Sequence, residues 1–91
     1  MAVVFIAEIP GMTREMYQQA INQVRDQLKR APGFMAHAGT RSPTGWRITE
    51  IWESQQQCAQ CLESIIMPMA QQVGVPPFQP EFLDAEEAFT R

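Results

Sequence analysis

The chain is poor in the residues that most often carry chemistry. It has one histidine, His37, and two cysteines, Cys58 and Cys61. A structural or catalytic zinc takes about four ligands, so a complete site is not expected and no metal ligands are assigned. Two cysteines in a Cys-x-x-Cys spacing do not make a disulfide framework. Seven lysines and arginines stand against ten aspartates and glutamates, giving a net charge of -3. No basic stripe exists to neutralise phosphates, which argues against nucleic acid as a partner. The longest apolar run, Val3-Val4-Phe5-Ile6-Ala7, is far short of the ~20 residues that a membrane span needs. It begins almost at Met1 with no basic region before it, so neither a signal peptide nor a membrane partner is expected, and a cytoplasmic location is. No internal repeat or low-complexity tract is present.

What remains suits one small domain over residues 1–91. A chain of this size buries only roughly 60–65% of its unfolded surface. Its core is therefore thin, and any subunit interface matters.

Residues 2–9 are β-branched and aromatic and end at Pro10-Gly11, the pattern of a strand and turn. Val3, Phe5, Ala7 and Ile9 share one face; Val4 and Ile6 share the other. A strand apolar on both faces is covered on both. Thr13 is a good N-cap, and Met16, Tyr17, Ala20, Ile21, Val24 and Leu28 then recur at helical spacing. Gln18, Asn22, Arg25, Asp26 and Lys29 make the polar face of that helix, which Pro32-Gly33 ends. Phe34–Thr40 and Trp46–Trp52 read as a β-hairpin around Arg41–Gly45.

Ser54 and Gln57 form a capping box, followed by an apolar stripe of Cys58, Cys61, Leu62, Ile65, Ile66 and Met69. Pro68 predicts a kink or break near Met67 and a short continuation ending at Gly74. Val75–Pro80 reads as an extended connector. For 81–89 a strand is expected on topology, although its Ala/Glu content favours helix. The order β-α-β-β-α-β makes a ferredoxin-like α+β fold, a four-stranded antiparallel sheet with two helices on one face. Two helices cover only one face, so a second copy is expected against the other, giving a homodimer.

Ile6-Ala7-Glu8-Ile9-Pro10-Gly11, Ala31-Pro32-Gly33-Phe34 and Trp46-x-x-x-x-x-Trp52-Glu53-Ser54 resemble the antibiotic-biosynthesis-monooxygenase-like branch of the dimeric α+β barrel proteins. The likeness covers essentially the whole chain. It implies a dimeric α+β barrel, and an activity drawn from a mixed set: oxygenation of aromatic polyketides without a cofactor, haem degradation, or isomerisation. The polyketide oxygenases of that family pair the Trp of Trp-Glu-Ser with an Asn four residues earlier and a Tyr six later. Trp52 is present, but those positions hold Ile48 and Cys58. The haem-degrading set falls near Ile9, on Cys61 and near Gln71. Neither known catalytic set is retained.

The residues offer other candidates. His37, mid-strand on the hairpin, is the obvious near-neutral base; it competes with a partly buried or interface histidine. Glu50 is a carboxylate within an apolar strand run and needs a partner. It could hold His37, Arg47 or a ligand, depending on hairpin register. Trp52, Trp46 and Tyr17 could line a flat apolar cavity between sheet and second helix, or fill the core. Cys58 and Cys61 could be a redox pair, but their place on the apolar stripe favours packing. The expected function is therefore open between two classes, with a domain whose cavity is closed as a third reading. One is oxygenation or isomerisation, without a cofactor, of a small hydrophobic or aromatic metabolite. The other is a non-catalytic dimer that binds such a molecule.

Overall fold

The computed structural model describes residues 1–91. In chain order it has β1 (Val3–Pro10), α1 (Arg14–Arg30), β2 (Phe34–Arg41), β3 (Gly45–Trp52), α2 (Gln55–Cys61), a π-helical segment (Leu62–Ile66), α3 (Met67–Val73) and β4 (Gln79–Asp84). The strands lie in the order β2-β3-β1-β4, every neighbouring pair antiparallel. This is the ferredoxin-like α+β fold, with the helices on one face of the sheet. No helix is long and apolar enough to cross a membrane.

β1 runs between β3 and β4, and its alternation sets the layers. Val3, Phe5, Ala7 and Ile9 are at most 3% exposed and pack with Ala20, Ile21, Val24 and Leu28 of α1. Each such large side chain, fully buried, contributes about 1.5–3 kcal/mol. α1 starts where Thr13 Oγ1 accepts the Met16 N–H at 3.2 Å. Glu15 in its first turn and Lys29 and Arg30 in its last complement the helix dipole.

The opposite face of the sheet carries no helix. Register there aligns Ile51, Val4 and Leu83 in one row across three strands, and Thr49, Ile6 and Glu81 in the next. Val4, Ile6 and Ile51 are half-buried and Leu83 is exposed. The third row, Arg47, Glu8 and Gln79, is polar.

That polar end is tied to the hairpin loop. Glu8 accepts hydrogen bonds from Ser42, from Thr44 Oγ1 at 2.8 Å and from Arg47 Nε at 2.8 Å. These donors, Ser42 foremost, hold its carboxyl down at about 2 against an ordinary 4.5. A carboxylate depressed on folding stabilises above its unfolded value and loses that contribution as pH falls through the folded one. Glu8→Gln should therefore make the fall in melting temperature between pH 4.5 and 2 shallower, which thermal melts across that window would measure.

Two elements differ from expectation. The irregularity in the second helical rod lies a turn before Met67. Residues Leu62–Ile66 are π-helical, and the Met67 N–H bonds the Leu62 carbonyl, five residues back. Pro68, which has no N–H to donate, then falls in the first turn of α3, directly after the widened turn. The expected break near Met67 thus takes the form of a widened turn that ends at Ile66. α3 ends at Gly74, whose φ of 85° needs a residue without Cβ. The last strand starts earlier and stops sooner than 81–89: it is Gln79–Asp84, with Phe82 packed on Phe5 at 5.5 Å between ring centroids. Pro80 is tolerated because β4 is an edge strand. Residues 85–89 form neither strand nor helix, and Phe89 is 78% exposed.

Candidate active site

The site depends on one extra residue in β2. Phe34 pairs with Trp52, but Ala36 pairs with Ile51, so Met35 is a β-bulge. Without it, strict alternation would set His37 opposite Thr49 and turn it away from the helices. With it, His37 pairs with Glu50 on the helix side.

His37 Nδ1 lies 2.6 Å from Glu50 Oε2, and His37 Nε2 lies 2.7 Å from the Tyr17 hydroxyl. The other Glu50 oxygen, Oε1, accepts the Trp52 indole N–H at 2.9 Å. Glu50 is 7% exposed and both its oxygens are engaged. A carboxylate can only accept, so the neutral imidazole carries its proton on Nδ1 and presents the Nε2 lone pair to Tyr17 O–H. The chain of groups runs Tyr17, His37, Glu50, Trp52. Burial pushes the Tyr17 phenol above its ordinary value, so it stays protonated at neutral pH and donates to His37.

Gly39 makes room for this arrangement. A Cβ there would lie 2.5 Å from Tyr17 Cζ and 2.6 Å from its hydroxyl. The Tyr17 ring is parallel to His37 within 9°, at 6.0 Å, and stacks on Trp46 at 4.9 Å.

A cavity of about 50 Å³ lies between sheet and helices. Its wall is almost wholly apolar, including Phe5, Ile48, Leu62, Ile66 and Met69; Tyr17, His37 and Glu50 are its polar groups. Of the aromatic residues expected to line it, only Tyr17 does, and the cavity has a third of the ~150 Å³ that admits benzene.

The five candidate residues divide into three groups. His37, Glu50 and Tyr17 come together on the cavity wall. Trp52 is not on that wall: it is 1% exposed, packed edge-on against Phe34 at 5.4 Å, and acts on the site through its bond to Glu50. Trp46 is also off the wall, 7% exposed, and backs the Tyr17 ring. Arg47, an alternative partner for Glu50, pairs with Glu8 instead. Gly39, the Met35 bulge and the π-helical segment give no signal in the sequence that sets them apart from any glycine, hairpin or amphipathic run.

Cys58 and Cys61 are free and buried in the core cluster. Burial, with a smaller push from Glu50, raises their thiols to about 12 and about 11. Native protein at pH 8 should therefore resist a thiol-specific disulfide reagent, and both cysteines should react once denaturant is added. Fast labelling of the folded protein would restore a redox role. No group of three or more His, Cys, Asp and Glu is placed to hold a metal ion.

The molecule thus combines a ferredoxin-like α+β fold with a hydrogen-bonded His–Glu pair on its cavity wall. No protein-family model matches the sequence, and no curated protein matches it. Solved structures do match its fold. SnoaB, a cofactor-independent oxygenase from Streptomyces nogalater, is 14% identical with a TM-score of 0.73, over 99% of this chain and 98% of that one. A monooxygenase from the gene ActVA-Orf6 of Streptomyces coelicolor, in complex with nanaomycin D, is 17% identical with a TM-score of 0.71, over 99% and 91%. An antibiotic biosynthesis monooxygenase-like protein from Nitrosomonas europaea is 18% identical with a TM-score of 0.74, over 93% and 90%. The fold is that of the antibiotic biosynthesis monooxygenase-like proteins.

Proposed function

We propose that this protein is a dimeric, monooxygenase-type enzyme that needs no cofactor and starts its reaction by removing a proton from a small hydrophobic or aromatic metabolite. The observation that carries this is the Tyr17–His37–Glu50 chain on an apolar wall. As a substrate C–H or O–H gives its proton to the Tyr17 oxygen, the Tyr17 proton passes to His37 Nε2. The imidazolium that forms is held by the Glu50 carboxylate at 2.6 Å. No free tyrosinate builds up, which suits a buried phenol. The substrate is left as an enolate or phenolate. Returning the proton at another carbon completes an isomerisation. Meeting dioxygen completes an oxygenation: an activated CH2 and O2 become C=O and H2O, with one oxygen atom kept on carbon. A cavity of about 50 Å³ with an almost wholly apolar wall suits dioxygen rather than a ring.

The solved structures of like fold support the oxygenation branch, since two of them are described as an oxygenase and a monooxygenase. A second copy over the uncovered sheet face completes the reading, because the Ile51–Val4–Leu83 row is apolar and carries no helix.

The test is to offer polycyclic phenols and activated cyclic ketones to the protein. Deuterium exchange from D2O and dioxygen uptake are then followed together. Wild type should catalyse exchange, and His37→Gln should lower it about 10²–10⁴-fold, the usual contribution of a general base. Exchange without dioxygen uptake assigns an isomerase. Tight binding with neither activity would overturn the enzyme reading in favour of a binding protein.

A further inference from the structure

We propose that the groove between α1 and the free edge of β2 is the binding site for an anionic ring compound, with Arg25 and Lys29 holding its carboxylate. The proposal rests on the proton relay above and names the substrate class for it: a mono- or bicyclic aromatic acid.

β2 is an edge strand, and α1 lies beside its unpaired side. The groove there has a volume of about 280 Å³, against about 50 Å³ for the internal cavity. Other surface depressions are as large, so size alone does not single it out. What sets it apart is that Tyr17 and His37 line both this groove and the internal cavity. A ring in the groove and dioxygen in the cavity would meet at the same two side chains.

The groove also has a built polarity. Tyr17, Ile21, Arg25 and Lys29 are spaced four apart and form one stripe along α1. A rise of 1.5 Å per residue puts Arg25 and Lys29 about 12 and 18 Å along the axis from Tyr17. Helical side chains lean toward the N-terminus, so both cationic heads reach back toward Tyr17. Ile21, Leu28 and Phe34 supply apolar surface between the charges and the relay.

Charge points the same way. The chain carries a net -3, yet no aspartate or glutamate lines this groove. Neither Arg25 nor Lys29 has a salt-bridge partner; the two pairs in the structure are His37–Glu50 and Arg47–Glu8. Each cation alone, exposed to water, would hold an anion weakly. An Arg fork on a carboxylate, a second cation one turn on and an apolar surface under the ring act together. The polar face of α1 reads in sequence as a solvated surface. The neighbouring β2 edge makes part of it one side of a site.

The experiment titrates 15N-labelled protein at low salt with 2-naphthoate and, separately, with its neutral twin 2-naphthamide. Naphthoate should bind about tenfold more tightly than the amide and move the Ala36, Gly39 and His37 signals. Arg25→Gln with Lys29→Gln should erase that preference while lowering the melting temperature by at most a few degrees, since both side chains are exposed and only the Lys29 charge at the helix end is lost. His37→Gln should keep the acid-over-amide preference, which the two cations set, even where it lowers the affinity for both probes. Equal affinity for acid and amide, a preference that survives the double variant, or shifts centred elsewhere would overturn the proposal. Cation-dependent binding of naphthoate without turnover of any aromatic acid would support the groove while removing the relay.

Discussion

Ile6→Asp should leave the protein unable to form a folded dimer. Ile6 lies in mid-strand on β1, between Thr49 on β3 and Glu81 on β4, on the face that no helix covers. In the proposed dimer a partner sheet lies on that face. An aspartate there would be taken out of water beside Glu81 with no cation in its row. Burying an unpaired carboxylate costs several kcal/mol, comparable to the whole stability of a small domain, about 5–15 kcal/mol. Sedimentation at micromolar concentration should show wild type at twice the 10.3 kDa chain mass, and the variant as monomer or unfolded chain. Thr40→Asp is the control: it lies toward the polar end of the same face, opposite Arg47, and should stay dimeric. Wild type sedimenting at the mass of a single chain would sink the dimer.

Much of this fold is written in local pattern. The two-sided apolar run of β1, the Thr13 and Ser54 caps and the Pro32-Gly33 stop each have a direct physical reading. The structure places them accordingly. The β-α-β-β-α-β order then leaves few topologies. The failures come where tertiary context overrides pattern. β4 includes Pro80 and excludes Ala85–Phe89, because edge pairing with β1 decides its ends rather than propensity. The rod does break beside Met67 as expected, but its form, a π turn over Leu62–Ile66, has no mark in the apolar pattern.

The site was legible as residue types but not as a geometry. His37 and Glu50 stand out because each is out of place in an apolar strand. Whether they meet is a question of parity, and the Met35 bulge settles it. A bulge adds one residue and reverses every face beyond it, and nothing in Phe34-Met35-Ala36 marks it in sequence. Trp52 is the opposite case. Its position at a strand end before a helix cap suggested a cavity wall, but its ring fills the core under Phe34 and only its N–H serves the site.

That N–H makes Glu50 the most informative position in the molecule. Glu50→Ala leaves the Trp52 indole and the His37 Nδ1–H without acceptors in a buried place. Each unmet donor costs about 1–3 kcal/mol, so the variant should lose about 2–6 kcal/mol as well as its activity. Glu50→Gln separates the two effects. An amide offers one acceptor and one donor, and an indole can only donate. The amide oxygen must therefore face Trp52, and its NH2 must face His37 Nδ1. His37 is forced to accept there, so its proton moves to Nε2 and points at the Tyr17 oxygen. Trp52, the new amide and His37 all keep partners, yet the lone pair that received the Tyr17 proton is gone. Glu50→Gln should thus melt within about 1 kcal/mol of wild type while losing activity about 10³–10⁴-fold, the scale seen when a catalytic histidine is held in its wrong tautomer. His37 is the one histidine in the chain, so its imidazole nitrogen signals can be read without assignment. They should show the proton on Nδ1 in wild type and on Nε2 in the variant. An unchanged tautomer, or a Glu50→Gln protein as unstable as Glu50→Ala, would remove Glu50 from the relay and leave it a structural partner of Trp52.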